Sequence, residues 1–383
     1  MFNRFLNSLS SLRLTVVCLC LGLVIVFVGT IAQVNQGLYQ VQERFFQSLL
    51  IYWEPEGASW KVPIFPGGYL VGGVLLTNLL TAHARRFKFS KRKFGILMIH
   101  AGIILLLVGQ FATDLFQVES HMRLTEKQPM NYSEDGSNSE LAVINTSHPE
   151  FDEVISFPYT QLAAAKEIQH QDMPFTIRVN QYLPNSRLAW RAPMVDKEPP
   201  LATQGLGPKL KWSPLPTTIK MDERNVRSAV IEILKGRESL GTWLVSDLID
   251  EAQPVTVDGK TYQLALRRMR YYKPFSLELQ KFTHEVYQGT SIPKNFASRV
   301  RLQRPDTRED REALIYMNNP LRYDGETYYQ SGFDDKDTRV SILQVVRNPA
   351  WLTPYASCTL VSLGLIVHFL QHLVGFAMKR RTV

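Results

Sequence analysis

Four runs along the chain are almost wholly apolar, at residues 14–33, 65–84, 94–113 and 352–378, and the long interval before the last is mixed. Each run is near the roughly 20 residues that a helix needs to cross ~30 Å of hydrocarbon. The second, FPGGYLVGGVLLTNLLTAHA, is broken by Gly and Thr, small residues that let membrane helices approach closely. The interval 114–350 follows a different rule. Short stretches such as ELAVINT, FTIRVNQYL, SAVIEILKG, TYQLALRRMRYY, FSLELQKFT, ETYYQSGF and VSILQVV alternate apolar and polar positions. That period of two predicts half-buried strands. Val-Asp-Gly-Lys at 257–260 and Tyr-Asp-Gly-Glu at 323–326 read as tight turns between them. Many short strands with such punctuation predict an all-β sandwich or open barrel. Residues 183–219, rich in Pro and Gly, read as a long loop or insertion. Segment 34–64, with Phe45, Phe46, Tyr52, Trp53 and Trp60, reads as a helix or turn lying in a membrane interface.

Charge sets the expected orientation. The chain has a formal net charge of +8, which raises the question of nucleic acid. Its distribution answers otherwise. Segment 114–350 carries 30 basic and 32 acidic residues, and segment 34–64 carries 2 and 3. The remaining 11 basic residues flank the apolar runs with no acid among them. No basic stripe with interleaved aromatics is present, so nucleic-acid binding is not expected. Arg4 and Arg13, then Arg85, Arg86, Lys88, Lys91, Arg92 and Lys93, then Lys379, Arg380 and Arg381 form three basic groups. The positive-inside rule puts all three in the cytoplasm, and four spans satisfy the three assignments together. No small-x-small site ends the first run, where Ala32 is followed by Gln33 and Val34, so it reads as a span and not a cleaved leader. The expected architecture is an integral membrane protein with four transmembrane α-helices and a large all-β extracytoplasmic domain. Residues 1–113 form a membrane region with three spans, 114–350 the β-domain, and 351–383 the fourth span and a basic cytoplasmic tail.

Cys18, Cys20 and Cys358 all fall in apolar runs. Segment 114–350 has no cysteine, which excludes a disulfide framework and thiolate metal ligands there. The phosphate loop, the dinucleotide fingerprint, the Gly-x-Ser-x-Gly elbow and His-Glu-x-x-His are absent, as is Cys-x-x-Cys-His. No residue reads as a nucleophile or general acid–base, so any catalysis is expected to belong to a complex.

The histidines carry more. His83, His100, His368 and His372 lie in or at the apolar runs. An ionisable residue there is costly and is a functional candidate by default. At ~1.5 Å per residue, His100 lies roughly 9 Å from the basic end of its run, and His372 is at a similar depth. His368 is one turn deeper on the same face. Imidazole is an axial haem ligand, and facing helices are where such sites are built. The plainer alternative is a hydrogen bond to a neighbouring helix or to head groups. His121, His148, His170 and His284 show no metal-ligand spacing and read as surface or loop residues. Asp334, Asp335 and Asp337 lack EF-hand spacing and read as a solvated loop, and Tyr328–Tyr329 reads as strand packing.

Several stretches together resemble the ResB (CcsB-like) family of system II cytochrome c maturation. They are Ser10-Ser11-Leu12-Arg13-Leu14, Gly29-Thr30-Ile31-Ala32-Gln33 and GILMIHAGIILLLVGQ at 95–110. In the β-domain they are PFSLELQKFTHEVYQGTSIPKNFASRVRL at 274–302 and MNNPLRYDGETYYQSGFD at 317–334, followed by VVRNPAWLTPY at 345–355. The resemblance implies transport of haem b across a bacterial cytoplasmic membrane and its presentation to apocytochrome c. It implies a CcsA-type multi-span partner, the two together acting as a cytochrome c haem lyase. It also implies that His100 is an intramembrane axial ligand paired with a histidine of that partner. His368 and His372 are candidates from the residues alone. No partner segment follows Val383, so a separate subunit is expected. Two other classes fit the residues: a self-contained b-type cytochrome for electron transfer, pairing His100 with His368 or His372, and a membrane-anchored binding or scaffold domain.

Overall fold

The computed structural model describes residues 2–55, 60–86, 90, 93–149, 151–192, 196–218, 224–289, 293–334 and 336–381. Lys88, Lys91, Arg92 and Asp335, singled out above, lie outside the described residues. The described residues divide into two compact units, one from 1–118 and 348–383, the other from 119–218 and 224–347.

The first unit is helical. Its helices are α1 (Phe2–Leu9), α2 (Leu12–Gln36), α3 (Leu38–Val41), α4 (Gly68–Arg86) and α5 (Phe94–Phe116). After the second unit, Thr353–Arg381 returns as the last helix of the chain. Leu12–Gln36, Phe94–Phe116 and Thr353–Met378 are long and apolar enough to cross a membrane. They make the chain a membrane protein. The expected second span is a helix of 19 residues but falls short of that apolarity. Gly, Thr, His83, Arg85 and Asn78 all lower its hydropathy, and Asn78 is buried and hydrogen-bonded. Its amide donates to the carbonyls of Leu9 (2.5 Å) and Ser11 (3.0 Å), and its oxygen accepts from Thr15 Oγ1 at 2.7 Å. Ser11 also caps α2, accepting from the Leu14 amide. One polar side chain therefore ties α4 to the start of α2. Segment 34–64 forms more structure than a single helix or turn. A π-helical turn, Gln42–Phe46, precedes a hairpin of Leu50–Trp53 with Val62–Pro66.

The second unit is built from strands around two cores. A four-stranded sheet contains Glu167–Ile168, Thr176–Leu183, Ser228–Lys235 and Glu238–Ser246. A ten-stranded sheet contains two long strands, Pro129–Asn145 and Lys260–Val286, which pair antiparallel. One end of these long strands packs on the four-stranded sheet as a sandwich, burying Leu141, Val143, Ile177, Ile231, Leu264 and Leu266. Their other end joins Val118–Thr125, Pro293–Arg304, Glu309–Tyr316, Glu326–Asp334 and Asp337–Arg347 in a nearly closed barrel. Met122, Leu277, Leu279, Val300, Tyr328 and Leu343 fill it. Ser298 Oγ lies 2.7 Å from Ser341 Oγ and donates to Gln330 Oε1 at 2.6 Å, a satisfied polar layer inside the barrel. Sandwich and barrel are thus both present.

Two details refine the sequence reading. The stretch 183–219, read as a loop, contains a two-stranded hairpin, Ser186–Trp190 with Leu210–Pro214. Leu210 from it is buried and Leu188 and Trp212 are partly buried in a small core of their own, so apolar side chains there find cover despite the Pro content. TYQLALRRMRYY and FSLELQKFT, read separately, belong to the single strand Lys260–Val286. Pro274 cannot donate a ladder hydrogen bond, and the strand absorbs it in a bulge. Tyr272 to Leu277 passes opposite only Tyr132 to Met130. That bulge is where the sandwich core ends and the barrel core begins.

Candidate functional site

The site is built from α4, α5 and the last helix, Thr353–Arg381. An α-helix turns 100° per residue, so positions seven apart fall nearly in line. Gly95, Gly102 and Gly109 form such a line on α5, and all three are buried. A Cβ on Gly95 would stand 2.6 Å from the His368 amide nitrogen, and one on Gly102 would stand 3.0 Å from the Ser357 carbonyl. On Gly109 it would meet Thr353. Gly364 returns the contact against Ile99. Small residues thus seat α5 and the last helix backbone to backbone, running antiparallel.

His100 lies roughly 140–160° around α5 from Gly95 and Gly102, on a different face. Phe111, eleven residues on, shares its direction. Both meet α4: Phe111 packs edge-on to Tyr69 at 6.2 Å, and His100 packs edge-on to His83 with ring centroids 4.6 Å apart and planes at 68°. His83 Nδ1 is 2.9 Å from the Leu79 carbonyl, one turn back. His100 Nδ1 is buried and makes no hydrogen bond of good geometry among the described residues.

His368 and His372 also meet edge-on, with centroids 4.5 Å apart. His368 Nδ1 is buried without a hydrogen-bond partner among the described residues, while His372 is exposed. The rings therefore pair as His83 with His100 and His368 with His372. Depth and face along the helices singled out His100, His368 and His372, not His83. Its contact follows from how α4 faces α5, which spacing along one helix does not reveal.

A half-buried imidazole between helices, with a buried nitrogen that makes no well-formed hydrogen bond among the described residues, fits an axial haem ligand. The geometry also limits the site. A metal ion between two imidazoles holds each ring nitrogen at about 2 Å. With the ring radii added on either side, the centroids must stand clearly further apart than 4.6 Å. Iron cannot lie between His83 and His100 as they are placed. Among the described residues no group of three or more His, Cys, Asp or Glu could hold a metal ion. Cys18 is buried in the helical unit, and Cys20 and Cys358 are exposed on their helices.

Outside the helices, ionic pairs are structural. Lys273 and Glu326 pair at 2.5 Å with side chains 7% and 13% exposed, and Glu326 also accepts from Tyr328 Oη at 2.6 Å. Burial pushes the Tyr328 phenol well above its usual range, and the Glu326 carboxylate adds to this. Asp334, read as loop, pairs with Arg123. Asp196 is held below the usual carboxylate range by hydrogen bonds from Lys211 and the Ala192 amide. His284 is exposed but not isolated. It stacks on Phe296 at 4.5 Å and meets Phe333 at 4.3 Å, at one end of the barrel.

Residues 250–342 match the model of the ResB-like family. In that segment the chain is similar to the ResB-like family. The match takes in Lys260–Val286, Pro293–Arg304, Glu309–Tyr316, Glu326–Asp334, the Lys273–Glu326 pair and His284, and leaves Val118–Thr125, Pro129–Asn145 and His100 outside it. Protein NrfI of Wolinella succinogenes is 29% identical over 143 residues. That alignment covers 37% of this chain and 16% of NrfI, so this chain spans a small part of that relative's length.

Proposed function

We propose that the chain is a haem-handling subunit in cytochrome c maturation, acting in a bacterial cytoplasmic membrane with a CcsA-type multi-span partner. The single observation that carries this reading is His100. It is an imidazole in an apolar helix of a chain whose 250–342 segment is similar to the ResB-like family, with one ring nitrogen buried and without a well-formed hydrogen bond among the described residues. Haem b is cargo here. The chemistry it brings is an iron centre that takes two axial nitrogens and later reaches the Cys-x-x-Cys-His sites of apocytochrome c. His100 supplies one nitrogen, and the apolar faces of α4 and α5 exclude water from it. The tight His83–His100 contact supports a second ligand supplied by the partner.

In this reading α4 is also a span, the second of four, the three basic groups are cytoplasmic, and the β-domain lies on the opposite side. Its barrel and sandwich form the surface that meets apocytochrome c. The self-contained cytochrome gains no support from the geometry. The glycine seam faces the last helix, and His100 points off it, away from an on-chain pairing with His368 or His372.

The test is cytochrome c yield in cells that depend on this chain and a CcsA-type partner for maturation. His100→Ala is expected to abolish covalent haem in c-type cytochromes while the membrane level of the chain is unchanged. Wild-type cytochrome c yield in that variant would overturn the reading.

A further inference from the structure

His83 has a fixed tautomer. The Leu79 carbonyl can only accept, so the neutral His83 ring carries its proton on Nδ1 and donates at 2.9 Å. Its lone pair is then on Nε2, an atom buried in the structure. The ring bearing that lone pair lies against His100, centroid to centroid at 4.6 Å.

His100 has the complementary need. A histidine that binds a metal through one nitrogen almost always donates its other N–H to an acceptor, which fixes the ring and makes it a stronger donor. Binding through Nε2 leaves the proton on His100 Nδ1, the buried atom without a well-formed hydrogen bond among the described residues. Leaving such a buried donor unsatisfied costs about 1–3 kcal/mol. Two acceptors are close. The Ile96 carbonyl lies one turn back on α5. The second is His83 Nε2, presented from α4 by a ring already held by its own backbone hydrogen bond. A centroid separation of 4.6 Å is within the reach of an N–H···N hydrogen bond between two imidazoles.

We propose that His83 is the positioning residue for His100: it accepts the Nδ1–H of His100, orients the ring, and strengthens Nε2 as a ligand. The proposal rests on the haem reading of His100. It gives α4 a role in the site, and it makes the polar end of α4 part of the site's construction. Electron density passed from His83 through His100 favours ferric over ferrous iron, so the pair lowers the midpoint potential of the bound haem.

The experiment uses the chain co-purified with its CcsA-type partner and loaded with haem in cells. Haem content and midpoint potential are measured for wild type, His100→Ala, His83→Ala and His83→Gln. Gln at 83 retains an acceptor oxygen on a side chain of similar reach. The expected result is loss of haem in His100→Ala, an upward shift of the potential in His83→Ala, and partial return toward wild type in His83→Gln. Loss of haem in His100→Ala with a wild-type potential in both His83 variants would overturn the inference alone, leaving Ile96 as the acceptor. Full haem in His100→Ala would overturn the haem reading itself. Should His83→Ala lose haem altogether, His83→Gln decides: haem recovered with a shifted potential supports the hydrogen bond, and haem still absent contradicts it.

Discussion

Gly95 meets the backbone of His368 so closely that a Cβ there would stand 2.6 Å from the His368 amide nitrogen. The obstacle is backbone, which cannot swing aside. Gly95→Val is therefore expected to force α5 from the last helix and destabilise the protein by about 1–3 kcal/mol, the usual cost of overpacking. Gly22, where a Cβ meets nothing within 4 Å, serves as control. Thermal unfolding in detergent should fall for Gly95→Val and stay at the wild-type value for Gly22→Ala.

Asn78 joins α4 to the start of α2 through three hydrogen bonds. Within a membrane such bonds are worth about 0.6 kcal/mol on average and up to about 1.7. Asn78→Leu removes all three and leaves the Leu9 and Ser11 carbonyls without this donor. A loss of about 1–2 kcal/mol is expected. The measurement is resistance to unfolding in detergent, and a stability equal to or above wild type would contradict the account.

The Lys273–Glu326 pair is nearly buried at the bulge between the two cores. Removing one partner of a buried pair leaves an uncompensated charge and costs about 3–5 kcal/mol. Lys273→Met is expected to destabilise the β-unit by that order, and Lys273→Met with Glu326→Gln by clearly less. Denaturant unfolding of both variants checks this. Equal losses would mean that the charge is not the cause.

Tyr328 gives a pH dependence. Its folded phenol is held above the ordinary range by burial and by Glu326. The neutral form is thus favoured in the fold, while the unfolded chain loses the proton near pH 10. The contribution is complete below about pH 10 and declines as pH rises beyond it. Tyr271 shifts in the same direction, by burial and a hydrogen bond to Asp135. Tyr328→Phe should flatten, without abolishing, the alkaline fall of the unfolding temperature. An unchanged alkaline slope would contradict this.

Much of the β-unit was legible because local chemistry and global pattern agree there. Val257 and Lys260 pair across Asp258-Gly259, and Tyr323 and Glu326 across Asp324-Gly325, in two-residue turns. All four turn residues have positive φ, as Asp-Gly hairpins require. Tyr328 is fully buried and Tyr329 is 40% exposed, the alternation expected of a strand. Pro274 misled, since Pro usually ends a strand and here is absorbed by a bulge. The hairpin at 186–214 was hidden by its short strands among Pro and Gly. In the helical unit the positions of His83 and His100 were readable and their contact was not. The seven-residue spacing of Gly95, Gly102 and Gly109 was present in the sequence. It would have placed His100 off the seam with the last helix.

The most direct test of the account is the reduced-minus-oxidised absorption spectrum of the purified chain with its CcsA-type partner, for wild type and His100→Ala. The account predicts a b-type haem spectrum in the wild-type complex, absent from the chain purified alone and lost in the variant. Haem of equal amount in the variant, or in the isolated chain, would contradict a shared intramembrane site at His100.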